Sequence, residues 1–447
     1  MEKSSATLMT EGPVWKRIVF FAIPIFWGNL FQQLYNTVDS LIVGNYLGST
    51  ALAAVSSSGA LIFLMVGFFN GIAMGAGVVS AKYFGSRNFD KLHKTIHTTV
   101  AFGIICGIFL TVVGTLLAPG ILRLMGTPEN VLPMSITYFR IYFLGSLAFV
   151  MYNFFVGILQ SVGDSKNPLK YLIISSVINV ILDFLFIAVF HFGVGAAAFA
   201  TIISQILSAV LSYYKLTHNP VEIRLYPKDI KLDKDVLKEI VSNGIPAGLQ
   251  NSIISIANIF VQSNINSFGE MAVAGCGTYM KIQGFGFLPI TCFAMALTTF
   301  ISQNLGAKEY TRARKGAKFG VICSVVLAEL IGIFIFVTIP YLVKAFCTTP
   351  EVIHIGTMQA RTDSLFYFLL AYSHCMAGIC RGSGKSKVPM YVMLICWCAV
   401  RVSYITIILH FINDIRMIFW AYPITWTLST IVFTIYYRKS DWIHGLE

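Results

Sequence analysis

The chain has 447 residues, of which 56% are hydrophobic and only 12% charged, with a formal net charge of +12. A soluble domain carries about 25% charged residues, so this chain lacks the charge to coat a soluble protein of its length. Its Lys and Arg residues lie in short gaps between apolar runs and not on one face or tail, which excludes a nucleic-acid footprint and makes the lipid bilayer the solvent.

The polar start, residues 1–13, leads into a run too long for a signal-peptide core and without a small-residue cleavage site, so no processing is expected. Apolar runs near the length of a hydrocarbon-crossing helix then follow at about 16–46, 51–79, 95–119, 132–160, 168–190 and 194–215. Residues 217–238, rich in Lys and Asp with Pro220 and Pro227, form the one long hydrophilic stretch. Six more runs follow at about 237–267, 272–302, 317–340, 356–380, 388–410 and 416–437. The predicted domains are an N-terminal lobe, 1–216, a linker, 217–238, and a C-terminal lobe, 239–447.

The two halves repeat at an offset of 221 to 222 residues. Ile23-Pro24 returns as Ile245-Pro246, and Leu47-Gly48 with Ala51–Ala54 returns as Phe268-Gly269 with Ala272–Gly275. Tyr83-Phe84-Gly85 returns as Asn304-Leu305-Gly306, Thr127-Pro128-Glu129 as Thr349-Pro350-Glu351, and Gly163–Pro168 as Gly384–Pro389. An even number of spans per unit gives both units the same orientation. The predicted fold class is therefore an all-α integral membrane protein of twelve transmembrane helices, in two six-helix lobes related by a pseudo-two-fold axis along the membrane normal. Such repeats place a binding site between the halves, near the midplane.

Basic residues in the short loops set the orientation. Lys82, Arg87, Lys91 and Lys94, then Lys166 and Lys170, then Lys308 to Lys318, then Arg381, Lys385 and Lys387 all fall in loops of one parity, shared with both termini and the 217–238 stretch. The opposite loops carry little beyond Arg123, Lys344 and Arg416. Both termini are thus expected in the cytoplasm and the chain in the plasma (inner) membrane.

Charged groups inside spans are costly and mark function by default; here they are Asp39, Asp183, Lys281, Glu329 and Arg401. Asp183 follows Asn179 by four residues, so carboxylate and amide share one helix face. Oxygen donors of this kind suit a hard cation such as Na⁺, and a buried carboxylate equally suits a proton carrier. Lys281, Glu329 and Arg401 are either a second polar site or structural pairs and snorkelling side chains. Gln32, Tyr35, Met65, Gln250, Asn251, Met280 and Gln283 are candidate substrate-facing residues, because aromatic and methionine surfaces accommodate varied apolar ligands and attract organic cations.

Two lookalike motifs are set aside. Gly382–Ser386 resembles the end of a phosphate-binding loop, but its earlier glycine would fall on Ile379 and no strand precedes it. His93 and His97 have metal-like spacing but no third ligand nearby, and read as a solvated face. The nine cysteines lie mostly in apolar stretches without a C-x-x-C pair and read as buried hydrophobes. With no nucleophile, metal or cofactor motif remaining, an enzyme is not expected.

Val38-Asp39-Ser40 through Gly44, Leu47-Gly48, Ala51–Ala54, the Gln160–Pro168 loop, Asn179–Asp183, Pro289 to Ala307 and the Arg381–Pro389 loop together resemble the multidrug and toxic compound extrusion (MATE) family, over nearly the whole chain. The resemblance implies two lobes around a V-shaped opening and antiport of organic, often cationic, drugs against Na⁺ or H⁺ by alternating access. Family members with an amino-terminal-lobe cation site use residues that look like Asp39, Asn179, Asp183 and Thr201 here. This makes those four the expected cation-coupling set and the only expected metal (Na⁺) position. Asp39 and Asp183 are expected within a few ångströms of each other. Other members use acids in the seventh and tenth spans. This sequence has Gln250, Asn251, Gln262 and Asn264 in the seventh span and no acid there, with Asp363 in the tenth as a partial match. The expected partners are amphipathic small molecules, a monovalent cation or proton and the bilayer, with no nucleic acid, no cofactor and a monomeric state. A lipid-linked saccharide flippase of the same superfamily is the alternative.

Overall fold

The computed structural model describes residues 8–124 and 127–446, without the side chains at 49, 52, 53, 56–61, 63 and 124. The side chains of Leu52 and Ala53 in the first repeat motif, and both chain ends, therefore lie outside the described residues.

Hydrocarbon offers the backbone no hydrogen bonds, so a chain this apolar satisfies its peptide groups within helices. Among the described residues there is no strand. The first half comprises α1 (Val14–Leu47), α2 (Ser49–Gly85), α3 (Phe89–Leu124), α4 (Leu132–Leu144), α5 (Ser146–Ser161), α6 (Lys166–Asp183) and α7 (Gly195–Thr217). The second comprises α8 (Lys234–Asn266), α9 (Glu270–Gly306), α10 (Tyr310–Phe346), α11 (Pro350–Asp363), α12 (Tyr367–Gly382), α13 (Lys387–Met393), α14 (Arg401–Phe411) and α15 (Ile415–Lys439).

Ten spans, some running through two of these helices, are long and apolar enough to cross a membrane, and α4 with α5, bent by 49° at the intervening Gly145, makes an eleventh. The twelfth expected span is α11 and α12 joined through a 3-10 turn, Ser364–Phe366; its first half, carrying Arg361 and Asp363, is more polar than the others. Two spans contain π-helical turns. Phe184–Val189 follows Asp183 directly, and Leu394–Val400 directly precedes Arg401. Such widened turns are frequent at functional sites.

The chain packs as two compact units, one built on Trp27–Gly248 and the other on Met9–Phe26 with Leu249–Glu447. The division lies inside α1 and α8, just beyond Pro24 and Pro246, the prolines that the sequence repeat pairs. An internal proline removes one helical hydrogen bond and permits a change of direction. The repeat units of the sequence and the packing units of the fold are thus different divisions of one chain.

The 217–238 segment is anchored within the first unit. His97 is buried; its Nδ1 donates to the His93 carbonyl at 2.6 Å and its Nε2 accepts the Tyr226 N–H at 3.0 Å. His93 Nε2 donates to the Val221 carbonyl at 2.8 Å, and the rings of His93, His97 and Tyr226 stack. The histidine pair is therefore a clamp on this segment, not a solvated face. Asp233 caps α8 by accepting the N–H groups of Asp235 and Val236 at 3.1 and 3.2 Å. These bonds, with Lys94 beside it at 3.7 Å, hold its carboxyl below the usual carboxylate range.

The repeat is visible in packing as well as in sequence. In the first unit a Cβ on Gly157 of α5 would lie 2.9 Å from the Ala73 carbonyl oxygen of α2. In the second, a Cβ on Gly378 of α12 would collide with the carbonyl oxygen of Ala294 in α9. Both partners are displaced by the same 221 residues, from 157 to 378 and from 73 to 294. A Cβ on Gly382, one turn on from Gly378, would lie 2.6 Å from the Thr298 carbonyl oxygen, and the Thr298 hydroxyl donates to the Gly378 carbonyl at 3.1 Å. Small residues spaced by four let transmembrane backbones touch and bond in this way. Hence Gly382 belongs to a helix contact and not to a phosphate loop.

Gly378→Val is expected to destabilise the protein by about 1–3 kcal/mol or more through overpacking. By contrast Gly120→Ala, in α3 with nothing within 4 Å of the added methyl, should leave stability unchanged or slightly improved. Thermal unfolding of the detergent-solubilised chain measures both, and equal melting temperatures for the two variants would remove the close-contact argument.

Candidate functional site

In the first unit, α1 carries Gln32, Tyr35 and Asp39 at spacings of three and four residues, which places them along one face. The last turn of α6 carries Asn179 and Asp183, both almost completely buried. Asp39 and Asp183 lie close enough for their side chains to interact directly. Tyr35, bonded by Gln32, and Tyr138 of α4 both sense the two acids electrostatically. The surroundings are apolar, with Val43 and Ile187 fully buried in the adjoining cluster.

The polar atoms here are under-used. Apart from the contact between the two acids, neither carboxylate oxygen of Asp183, neither polar atom of the Asn179 amide, nor Oδ1 of Asp39 has a hydrogen-bond partner among the described residues. An unpartnered buried polar atom costs about 1–3 kcal/mol, so this cluster has unused capacity to bind a ligand. Thr201 of α7 returns its hydroxyl to its own helix, bonding the Ala197 carbonyl at 3.0 Å; no hydrogen bond joins it to the acids. Two carboxylates and an amide oxygen are hard donors suited to a monovalent cation or a shared proton. Among the described residues there is no cluster of three or more His, Cys, Asp or Glu side chains fit for a transition metal.

Tyr138 was not selected from the sequence. It lies in the fourth span, and only the packing of α4 brings it beside Asp39 and Asp183. Of the candidate substrate-facing residues in this unit, Gln32 is exposed, Tyr35 half-buried, and Met65 packs partly buried against the cluster around Phe139 and Phe143.

The second unit holds a different polar centre. Asp363, at the end of α11, is fully buried, and neither of its carboxylate oxygens has a hydrogen-bonding partner. Arg401 is also buried, close enough to attract Asp363 without a direct ion pair. Its Nη2 donates to Thr425 Oγ1 at 3.0 Å, and its guanidinium lies 4.6 Å from the ring centroid of Tyr422 and 5.5 Å from that of Trp397. Nearby, the hydroxyls of Tyr279 and Tyr367 bond at 2.8 Å and Gln283 donates to Tyr279 at 3.3 Å; both tyrosines sense Asp363.

Lys281 does not join this centre: it is exposed. Glu329 is half-buried beside the backbone N–H of Phe368, and no hydrogen bond or ion pair among the described residues links it to Lys281 or Arg401. The grouping of Lys281, Glu329 and Arg401 thus gives way to Arg401 with Asp363. Gln250 is buried and accepts a hydrogen bond from Arg381 at 3.2 Å, so its amide is occupied; Asn251 is half-buried and Met280 about half exposed.

An all-helical chain of repeated halves, with polar centres buried inside apolar bundles, is a multi-pass membrane protein of the transporter type. The MatE family model matches residues 24–185 and again 246–407. The chain belongs to the MatE family. It is 28% identical over 450 residues to YoeA of Bacillus subtilis (strain 168), described as a probable multidrug resistance protein, covering 98% of this chain and 97% of that one. To YpnP of the same organism, described likewise, it is 29% identical, covering 97% of each. Among solved structures it superposes on an outward-facing multidrug resistance MATE transporter of the MOP superfamily with a TM-score of 0.91 at 22% identity, covering 98% of each chain. This last likeness concerns the fold alone.

Arg401→Met would leave Asp363 a buried carboxylate without its cation and is expected to cost about 3 kcal/mol. Adding Asp363→Asn should recover most of that loss, since the second charge leaves with the first. Thermal melts of the single and double variants give the coupling; additive losses would mean that the two residues do not interact.

Proposed function

We propose that the chain is a secondary antiporter that exports organic, often cationic, drugs or toxic metabolites in exchange for Na⁺ or H⁺ by alternating access. The observation that carries this reading is the Asp39–Asp183 pair with the unpartnered Asn179 amide beside it. Two carboxylates at this separation in an apolar bundle do not both remain ionised without a counter-charge, so the pair holds a proton, a cation or both. Membership of the MatE family and the multidrug names of YoeA and YpnP support drug export over the flippase reading.

In this mechanism the coupling ion binds Asp39 and Asp183, with the Asn179 amide oxygen and the Thr201 hydroxyl as further donors. Tyr35 and Tyr138 lie close enough to feel the charge of both acids. Binding and release of the ion stabilise different conformations of the first unit, and the ion gradient supplies the differential free energy that drives substrate outward. Amphipathic cations are the favoured substrates, because amide, acid and aromatic groups in a low-dielectric setting give a cation its partners. The basic loops favour a cytoplasmic position for both termini and the 217–238 segment, and in this reading the protein acts as a monomer in the plasma membrane.

Asp39→Asn and Asp183→Asn should each abolish gradient-driven dye efflux from proteoliposomes while leaving expression and substrate binding intact, because Asn keeps the volume and removes the ionisable group. Imposing a Na⁺ gradient or a pH gradient alone identifies the coupling ion. Transport at the parental rate in both variants would end the coupling assignment while leaving the family membership untouched.

A further inference from the structure

A cavity of about 550 Å³ in the second unit lies outside both polar centres, between the start of α10, the middle of α12, the end of α15 and the tail that follows it. Three cations line it, Arg314 and Lys318 of α10 and Arg438 of α15. All three are exposed, and none forms an ion pair with a described residue. The one acid in the wall, Asp441, is already engaged by His444 Nδ1 at 2.7 Å. Behind the cations stand Tyr437 and Trp442, whose rings stack at 5.2 Å.

Arg314, Lys318 and Ile322 follow one another at four-residue spacing, on one stripe of α10. From Ile322 to Val337 the exposed residues of the helix are apolar: Ile322, Val326, Leu330, Ile333 and Val337 are all at least 48% exposed. That run rises roughly 22 Å along the helix, comparable with the roughly 15 Å of a single leaflet's hydrocarbon. Helix α15, whose basic end also faces the cavity, exposes Ile435, Val432 and Ile431 in the same sequence of polarity. The surface is therefore ordered as a phospholipid is: anion-binding groups, then interfacial aromatics, then a path for acyl chains.

We propose that this cavity binds the phosphate headgroup of an anionic phospholipid, with its chains laid along the exposed apolar stripes of α10 and α15. Basic pockets between transmembrane helices bind anionic headgroups in this manner. The loop charges place this end of the helices on the cytoplasmic side. The site is independent of Asp39 and Asp183, so it stands or falls separately from the transport reading.

The test is native mass spectrometry of the purified full-length chain with phosphatidylglycerol or phosphatidylcholine. The parent is compared with the triple variant Arg314→Gln/Lys318→Gln/Arg438→Gln and with an equally charged control, Lys315→Gln/Lys387→Gln/Lys439→Gln, whose exposed lysines lie outside the cavity. Parent and control should retain phosphatidylglycerol better than phosphatidylcholine, and the cavity variant should lose at least about tenfold of that retention. Equal retention by the cavity variant, equal loss in the control, or no preference for the anionic lipid would overturn the proposal. Displacement of phosphatidylglycerol by millimolar inorganic phosphate alone would replace the lipid with a soluble phosphate as the ligand.

Discussion

The structure depends on one constraint, that hydrocarbon supplies no hydrogen bonds. Backbone groups meet it by forming helices, and small hydroxyls by turning back on them. Thr111, Thr278 and Thr298 each bond the carbonyl four residues earlier. Such residues are internally satisfied and say little about function. Carboxylates have no donor to close their valences this way, and the Asn179 amide, unlike those of Asn153 and Asn264, does not, which is why Asn179, Asp183 and Asp363 stand out as buried groups with unmet oxygens or nitrogens.

The same scaffold has been used twice for different ends. The glycine contacts at 157 and 378 show that helix-to-helix distance is preserved between the units. The acids are not. At an offset of 221 or 222 residues, Asp39 corresponds to Phe260 or Val261, and Asp183 to Tyr404 or Ile405. The second unit instead sets Asp363 near Arg401. An acid facing an acid needs a mobile positive charge from solution, whereas an acid facing an arginine brings its own. Arginine stays protonated in practice, so the second centre has a resident counter-charge and the first does not.

The apolar runs, the repeat and the face shared by Asn179 and Asp183 were legible because each follows from composition or from the helical period. Breaks within spans were not. Gly145 divides a run whose hydropathy is continuous enough to hide it, the 3-10 turn Ser364–Phe366 holds no Gly or Pro to mark it, and the π-helical turns after Asp183 and before Arg401 leave no composition signal. The His93–His97 clamp was missed because its partners, Val221 and Tyr226, lie more than a hundred residues away and engage through backbone atoms of no particular residue type. Lys281 and Arg401 look alike as isolated charges in apolar sequence; only packing shows that one is exposed and the other buried against Tyr422 and Trp397. Asp363 stood out in the sequence only as a partial match to a family pattern, because its counter-charge comes from a helix 38 residues away.

The asymmetry between the centres also bears on where an ion gradient can act. Shifting a two-state equilibrium from 1:99 to 99:1 takes about 5.5 kcal/mol of differential binding, which requires a site whose free energy changes greatly between its empty and loaded states. A like-charged buried pair has that property, since emptying it leaves uncompensated charge in a medium where each desolvated ion costs several kcal/mol. A carboxylate already facing a guanidinium changes far less on meeting a second cation, because its field is largely cancelled beforehand. On the proposed antiport mechanism coupling therefore falls to Asp39 and Asp183 in the first unit, whereas Asp363 in the second already has the charge of Arg401 near it.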